Sequence, residues 1–499
     1  MPFRPILPSP FMTWMVLLAG ISALLALAEW LHRRDRLPPE TLRPLVHAVT
    51  GVGLVLTPFL FRAPTFPLLS GFLFLAVNLL AVRGGRLPAI HATARSSYGT
   101  VFYPLAYVIL VALLWERDQV ALLVGILILA FADPLAAAVG RRYGGRPFTL
   151  WRDSKTYAGS LIMLAASTLL TLAGLYVLVP LAGGAPMAGP HLLIAALLAG
   201  ALAAVVEAQS RQGSDNLTVP LAAGLFIVLF RALPTAELPS LVGWAGGSAL
   251  ILGAAARLRA LAASGAITAW AMGLLVYLAG GWTWVLPLAA FFLLSALLTL
   301  LHHLARGASQ APPHAGRRTL VQVMANGGIP LLLALAYGLW RIEALYLVFI
   351  AALAAAAADT WATEIGGWLG GEPRSIVTWK AVPRGSSGGV TAMGTLGSLA
   401  GAATLAAVGL SLAPQALSVV DWAAITLIGF TAALIDSLLG ATVQVRFLDP
   451  STGRIVEEVP PGQQLQVHSG WRWLDNHMVN LVCSASGALL ALFWLRAGP

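Results

Sequence analysis

Charge is scarce in this 499-residue chain, lysine is scarcer, and cysteine is almost absent. Charged residues make up 10% of it, against about 25% in an average soluble domain. Hydrophobic residues make up 58%, and the mean hydropathy is +0.82. That balance excludes a soluble globular enzyme and leaves a polytopic membrane protein. The single cysteine, Cys483, lies in an apolar segment, so neither a disulfide framework nor a cysteine-based metal site is available. Of the 30 basic residues only Lys155 and Lys380 are lysines, so arginine serves at every other positive position. A net charge of +10 would suit a nucleic-acid binder, but the arginines sit in short gaps between apolar runs. Membrane orientation accounts for them, and no nucleic-acid partner is expected. No small-residue cleavage site follows the apolar run within Met1 to Trp30, which reads as a retained first span and not a signal peptide.

What is present is a long series of apolar runs, at about 11–30, 45–62, 65–82, 99–115, 119–139, 157–181, 191–208 and 217–235. A second set follows at about 240–257, 264–280, 282–303, 326–340, 343–363, 389–411, 419–441 and 477–496. The expected fold is all-α, with about 16 transmembrane helices as two eight-helix repeats. An even number per half makes the copies parallel and not inverted. The stretch Arg231 to Ser240, RALPTAELPS, is the expected seam, giving domains 1–238 and 239–499. Alternate gaps are rich in arginine, namely His32 to Arg36 with Arg43, Arg83 to Arg95, Arg141 to Lys155, Arg257 with Arg259, Arg306 to Arg318 and Arg374 to Arg384, whereas the gaps between them carry little beyond Arg62, Glu116 with Arg117, and Arg341. The positive-inside rule puts these gaps in the cytoplasm. The expectation is an integral protein of a prokaryote's cytoplasmic membrane, with its sites facing the cytoplasm. The longest polar excursion, Arg446 to Trp473, contains RFLDPSTGRIVEEV, whose Asp-Pro and Thr-Gly turns predict a small hairpin.

Two stretches share a plan: FADPLAAAVGRRYGGRPFTLWRDSKTYAGS from Phe131, and ADTWATEIGG, EPRSIVTWK and AVPRGSSGGVT from Ala358 to Thr391. Asp133 and Asp359 each have a glycine seven residues on (Gly140, Gly366), a proline fourteen on (Pro147, Pro373) and a proline 29 before (Pro104, Pro330). Lys155 and Lys380 follow at 22 and 21 residues. Such offsets predict a tandem duplication. The two lysines, in a chain that otherwise uses arginine, predict two places that need a compact ammonium, as phosphate-binding lysines do.

Carboxylates at helix ends in a membrane are costly and demand a reason. Asp133, Glu207 and Asp215 in the first half, and Asp359, Glu364, Asp436 and Asp475 in the second, form the candidate metal set. Asn216 and Asn476 stand beside two of them. Carboxylates grouped in this way suit Mg²⁺ carrying a nucleotide's phosphates. The basic, glycine-containing loops supply candidate phosphate contacts: Arg142, Arg146, Thr156, Gly159 and Ser160, then Arg374, Arg384, Gly385, Gly388, Gly389 and Thr391. Glycine lets backbone N–H groups approach a phosphate, and the helix that follows turns its positive end toward it. Helix capping by Asp and Asn is the competing reading for any one of these residues. In LRPLVHAVTG, His47 lies four residues after Arg43, whereas LRALAASGA puts Ala263 at the matching place. A histidine can take the proton of an alcohol, and a phosphate monoester needs no such base. The difference predicts two successive phosphoryl transfers, first to an alcohol and then to its phosphate, with Asp133, Lys155, Asp359, Lys380 and His47 as catalytic candidates.

The first half, through Arg43 with His47, the Asp133 motif, KTYAGS and EAQSRQGSDNLTVP, resembles the CTP-dependent polyprenol kinases, the dolichol and phytol kinase group. The second half resembles the phytyl-phosphate kinase family through SGAITAW, RRTLVQVMANGG, ADTWATEIGG, PRSIVTWK, VPRGSSGGVT, IDSLLGATVQ and WRWLDNHMVN. RRTLVQVMANGG adds Gln322 and Asn326 as candidate polar contacts. The resemblance implies membrane-embedded isoprenoid substrates such as phytol, geranylgeraniol or farnesol, converted to monophosphate and then diphosphate with CTP or another nucleoside triphosphate and Mg²⁺. A cytidylyltransferase of the CDP-diacylglycerol type and a transporter or flippase of isoprenoid phosphates are the competing classes.

Overall fold

The computed structural model of the chain describes residues 9–84, 98–151, 153–258, 261–306, 318–450, 454–457, 459 and 465–497. Most of the basic gap from Arg83 to Arg95, Arg259, most of the gap from Arg306 to Arg318, and the Thr452–Gly453 turn lie outside them. In a bilayer every backbone N–H and C=O must find its partner within the segment, so an apolar chain of this kind is helical. Among the described residues, 14 helices are long and apolar enough to cross a membrane, and the protein is an all-α polytopic membrane protein. Two of the sixteen expected spans fall short of the roughly 20 residues a crossing needs: α4, with 16 residues, and α9, with 17. The chain forms two compact units, Met1–Gly243 and Trp244–Pro499.

In the first unit, α1 (Pro10–Arg33), α2 (Pro39–Leu60), α3 (Thr65–Gly84) and α4 (Gly99–Leu114) precede α5 (Gln119–Leu127). A π turn at Ile128–Ala132 carries α5 into α6 (Asp133–Tyr143). Then come a hairpin, β1 (Pro147–Thr149) and β2 (Ser154–Thr156), and α7 (Tyr157–Leu181), α8 (Gly189–Ala208) and α9 (Asp215–Arg231). Val120, Ala121, Leu122, Leu123, Val124, Ile126, Ile128 and Leu129 are all buried, so α5 is the core. A helix apolar on every side must be surrounded. Its neighbours close in through small residues: Gly125 meets Gly224 of α9, and Gly51 of α2 lies against Ala130. Asp118 caps α5 and pairs with Arg231 at the end of α9, tying the far ends of these helices together.

α10 (Leu238–Arg257) leads into the second unit, with α11 (Ala263–Gly280), α12 (Trp282–Arg306), α13 (Leu320–Trp340) and α14 (Leu345–Leu369). A short ladder of β3 (Arg374–Ser375) and β4 (Gly389–Val390) precedes α15 (Ala392–Ser411) and α16 (Val419–Thr442). A three-stranded antiparallel sheet ordered β6-β5-β7 follows, made of β5 (Arg446–Asp449), β6 (Arg454–Val456) and β7 (Gln466–Ser469), before α17 (Asn476–Ala497). The expected hairpin is present as β5–β6, with Leu448 opposite Ile455. α14 is the core helix, with its alanine run from Ala351 to Ala358 buried. Three helices bring a glycine to that run: Gly401 of α15 to Ala357, Gly429 of α16 to Ala354, and Gly487 of α17 to Ala351.

The glycine-rich loop after Pro383 lies on the last turns of α16. Gly388 is left-handed, with φ +76, and a Cβ there would stand 2.4 Å from Ala441 Cβ and 2.6 Å from the Ser437 carbonyl. Gly388→Ala is therefore expected to destabilise the fold by about 1–3 kcal/mol, read as a lower unfolding midpoint in detergent. Gly371→Ala, where a Cβ meets nothing within 4 Å, should leave the midpoint unchanged.

Candidate functional site

The π turn is where the first site begins. There the Asp133 N–H bonds the carbonyl of Ile128 and not that of Leu129. Leu129's partner in the same i→i+5 pattern would be residue 134, a proline with no N–H. His47 of α2 takes the carbonyl so released, with Nε2 2.8 Å from Leu129 O. A carbonyl can only accept, so the neutral ring carries its proton on Nε2 and leaves a lone pair on Nδ1. Tyr103 packs edge-on to the ring at 4.4 Å and donates its hydroxyl to the His47 carbonyl at 3.2 Å. A single Asp-Pro step thus places Asp133 and orients His47.

Lys155 comes to the same place from the hairpin, paired in register with Phe148. Its ammonium donates to Glu207 Oε1 at 2.5 Å, Ser210 Oγ at 2.9 Å and Asp215 Oδ2 at 3.3 Å, using all three protons. Ser210 in turn donates to Asp215 Oδ2 at 3.0 Å. Burial works to lower the Lys155 pKa, but Asp215 and Glu207 outweigh it and hold the ammonium above the ordinary lysine range. The lysine is a fixed cation. Thr156, the next residue, caps α7 by accepting from the Gly159 N–H at 3.2 Å.

These groups line one end of a cavity of about 990 Å³. Arg43, His47, Asp133, Lys155, Glu207, Asp215 and Asn216 make its polar end, with Thr156, Gly159 and Ser160 beside them. Ile21, Leu25, Leu54, Phe74 and Val77 of α1 to α3 make its apolar end. Asp133 lies within the field of Asp215, Lys155, Glu207 and Arg43. Glu207 Oε2, Ser160 Oγ and Asn216 Oδ1 are buried without a hydrogen-bond partner among the described residues. Buried polar atoms left open in this way mark a place that a ligand completes.

The expected carboxylate cage is altered in one respect. Among the described residues no three acidic, histidine or cysteine groups converge as a ready metal cage. In the first unit the reason is Lys155, whose ammonium stands between Glu207 and Asp215. Asp133 and Glu207 Oε2 are what remain open, and one or two carboxylates with phosphate oxygens and water are what Mg²⁺ takes. Arg142 and Arg146 are exposed and do not line the cavity; Arg142 lies over the Tyr143 ring at 5.4 Å. Arg141, one residue and about 100° earlier on the helix, lines it instead. Asp153 and Ser210 are further members not anticipated from the sequence. A lone serine and a loop aspartate carry no periodic or spacing signal.

In the second unit Asp359 of α14 and Asp436 of α16 face each other, carboxyl to carboxyl at hydrogen-bonding distance. Neither has an ion pair, and Asp436 Oδ2 is buried without a hydrogen-bond partner, among the described residues. Two such carboxyls can share a proton or a cation. Glu364 is not with them. Five residues past Asp359 it has turned about 140°, and it accepts from Thr299 at 2.6 Å while pairing with His302 Nδ1 at 2.6 Å. Asp475 is exposed and caps α17 by accepting from the Met478 N–H at 2.9 Å, with half-buried Asn476 opening that helix. Gln322 closes a capping box with Thr319, while Asn326 Oδ1 is buried without a partner among the described residues.

Lys380 is the clearest departure from expectation. It is exposed and forms no side-chain hydrogen bond or ion pair with a described residue, whereas Lys155 is enclosed. Trp379 before it is held left-handed, at φ 56, with its carbonyl accepting from Arg374 at 3.1 Å. Arg384 is likewise exposed, reaching the Gly370 carbonyl at 3.5 Å. The local frame does recur: a Cβ on Gly366 would stand 3.0 Å from the Thr391 hydroxyl, as one on Gly140 would stand 2.9 Å from that of Thr156. Thr391 caps α15 through the Gly394 N–H at 3.0 Å. The residue before that capping threonine is Lys155 in one unit and Val390 in the other.

Residues 247–488 match the family described as Integral membrane protein DUF92. The chain is 31% identical over 209 residues to a phytol kinase of the cyanobacterium Synechocystis, covering 41% of this chain and 85% of that protein. It is 31% identical over 233 residues to Protein PGR of Arabidopsis thaliana, covering 42% of this chain and 80% of that one. An uncharacterized membrane protein of Synechocystis is 28% identical over 229 residues, covering 45% and 78%. No solved structure matches.

Proposed function

Since the chain belongs to the phytol kinase family of integral membrane proteins, we propose that its first unit transfers a phosphoryl group from a nucleoside triphosphate, CTP foremost, to a long isoprenoid alcohol. The observation that supports this most is a cavity with an apolar end for a prenyl chain and a polar end where His47 meets Asp133, Lys155, Glu207 and Asp215. The alcohol's O–H lies toward His47, whose Nδ1 lone pair takes the proton as the oxygen attacks the terminal phosphorus. The bond from that phosphorus to the bridging oxygen breaks, and the nucleoside diphosphate leaves. Lys155 fixes a positive charge beside the transferred group, the open Ser160 hydroxyl donates to a phosphate oxygen, and the open Asn216 Oδ1, an acceptor, faces a donor of the nucleotide or a cation. Such transfers depend on positioning and electrostatics more than on covalent chemistry. Mg²⁺ held by Asp133 and the open Glu207 oxygen would neutralise charge on the nucleotide's phosphates. The arginine-rich gaps favour a cytoplasmic position for this end.

The second unit, on this proposal, acts on the monophosphate. Its support is the Asp359–Asp436 pair beside a glycine-rich loop, and the absence of any histidine at the place of Ala263. The recurring glycine and threonine frame favours descent of both units from one ancestor.

His47→Ala should lower kcat for alcohol phosphorylation by about 10²–10⁴ and leave conversion of an added prenyl monophosphate unchanged; equal loss of both steps would remove His47 as base. The reading itself is tested with purified protein in nanodiscs, CTP, and phytol, geranylgeraniol or farnesol. Monophosphate should form first and diphosphate later. No lipid phosphate from any of the three alcohols would overturn it.

A further inference from the structure

The loop from Pro383 to Gly389 already holds an anion, and the anion belongs to the protein. The Ser387 N–H donates to Glu457 Oε1 at 2.8 Å, and the Ser387 hydroxyl donates to Oε2 at 2.5 Å. Gln444 Nε2 donates to Ser387 Oγ at 2.9 Å and to Glu457 Oε2 at 3.3 Å. Gly385 and Gly388, at φ 84 and 76, turn the backbone so that Ser387 can present its N–H and hydroxyl side by side. Arg446 donates to the Ser387 and Gly440 carbonyls at 3.3 and 3.0 Å, placing a guanidinium at the back of the cradle. Gly388 rests on Ser437 and Ala441, within about a turn and a half of Asp436 on α16.

We propose that this cradle is the phosphate-monoester site of the second unit, and that Glu457 is its resident occupant, displaced when the substrate's phosphate arrives. The proposal rests on the reading of that unit as one that handles a lipid phosphate. Two carboxylate oxygens held by one N–H, one O–H and one amide reproduce how two oxygens of a phosphate are held. The occupant comes from the residue just after β6, 70 positions along the chain from Ser387. Glu457 lies past the last β5–β6 pair, Phe447 with Val456, so its side chain can swing away while Ser387, Gln444 and Arg446 keep their places. Substrate and Glu457 compete for the same donors, so the plug lowers apparent affinity by the fraction of time the cradle is open.

Calorimetric titration of the full-length protein in detergent with farnesyl monophosphate tests this. Glu457→Ala should bind about tenfold tighter or more than the natural protein, and inorganic phosphate should compete. Glu457→Gln, which keeps the size of the side chain and removes its charge, should also bind tighter, and serves where the alanine variant is poorly folded. Adding Ser387→Ala to Glu457→Ala should return much of the gain. Unchanged or weaker binding in both Glu457 variants, or no effect of Ser387→Ala, would make Glu457 a strut and overturn the proposal. Tighter binding without diphosphate formation would leave the cradle standing and remove the transfer reaction. Diphosphate formation with unchanged affinity would do the reverse.

Discussion

Lys155→Ala is expected to abolish alcohol phosphorylation and to weaken the first unit at the same time. The ammonium is held by Glu207, Ser210 and Asp215, with side-chain exposures of 17% for Lys155, 11% for Glu207 and 16% for Asp215. Solvent can do little to relieve the two carboxylates once their shared cation is gone. Removing one partner of a buried ion pair costs about 3–5 kcal/mol, which should appear as a large drop in unfolding midpoint. Loss of a charge that stabilises a transferring group costs about 10²–10³ in kcat. Lys155→Arg should not rescue either property, because a planar guanidinium cannot reproduce three diverging donations from one nitrogen. A folded, active Lys155→Ala protein would remove the lysine from the site.

Asp133→Asn should separate the two effects. Asp133 forms no ion pair with a described residue and lies within the field of two like charges, Asp215 and Glu207. Neutralising it removes the cost of burying a charge together with that repulsion, which outweigh the lost attraction of Lys155 and Arg43, and leaves the π turn and Pro134 in place. The unfolding midpoint should stay level or rise, while kcat for the alcohol falls by about 10²–10³. Stability gained as activity is lost is the mark of a group kept for chemistry. A variant that loses stability in step with activity would mean that Asp133 is structural. Thermal unfolding and label transfer on the same preparation read both.

Much of the first site was legible before the structure. Carboxylates at the ends of apolar helices are expensive enough to stand out, and a histidine one turn past an arginine is conspicuous in a chain so poor in charge. His47, Asp133, Lys155, Glu207 and Asp215 do meet at one cavity. The hairpin from Arg446 was legible because turn residues flank short alternating runs. What failed was counting from the aspartates. From Gly140 to the capping Thr156 is 16 residues, and from Gly366 to Thr391 is 25, so the second loop is 25 − 16 = 9 residues longer. Matched offsets end at Pro147 and Pro373, and Lys380 falls inside the extra length. Spacing along a loop does not fix direction, whereas a capping threonine does, because its hydroxyl must reach a particular N–H. Glu364 failed for a helical reason: being near Asp359 in sequence put it on another side of α14. Glu457 and Ser387 lie too far apart in sequence for any local pattern to connect them.

That the protein moves phosphoryl groups onto isoprenoid lipids is tested most directly by following two labels of CTP with a prenol in nanodiscs. The account requires label from the terminal phosphate to enter the lipid as monophosphate and then diphosphate, with cytidine diphosphate released and no transfer by Lys155→Ala. Label from the α-phosphate entering the lipid with release of pyrophosphate, or lipid phosphate crossing the bilayer without any transfer, would contradict it.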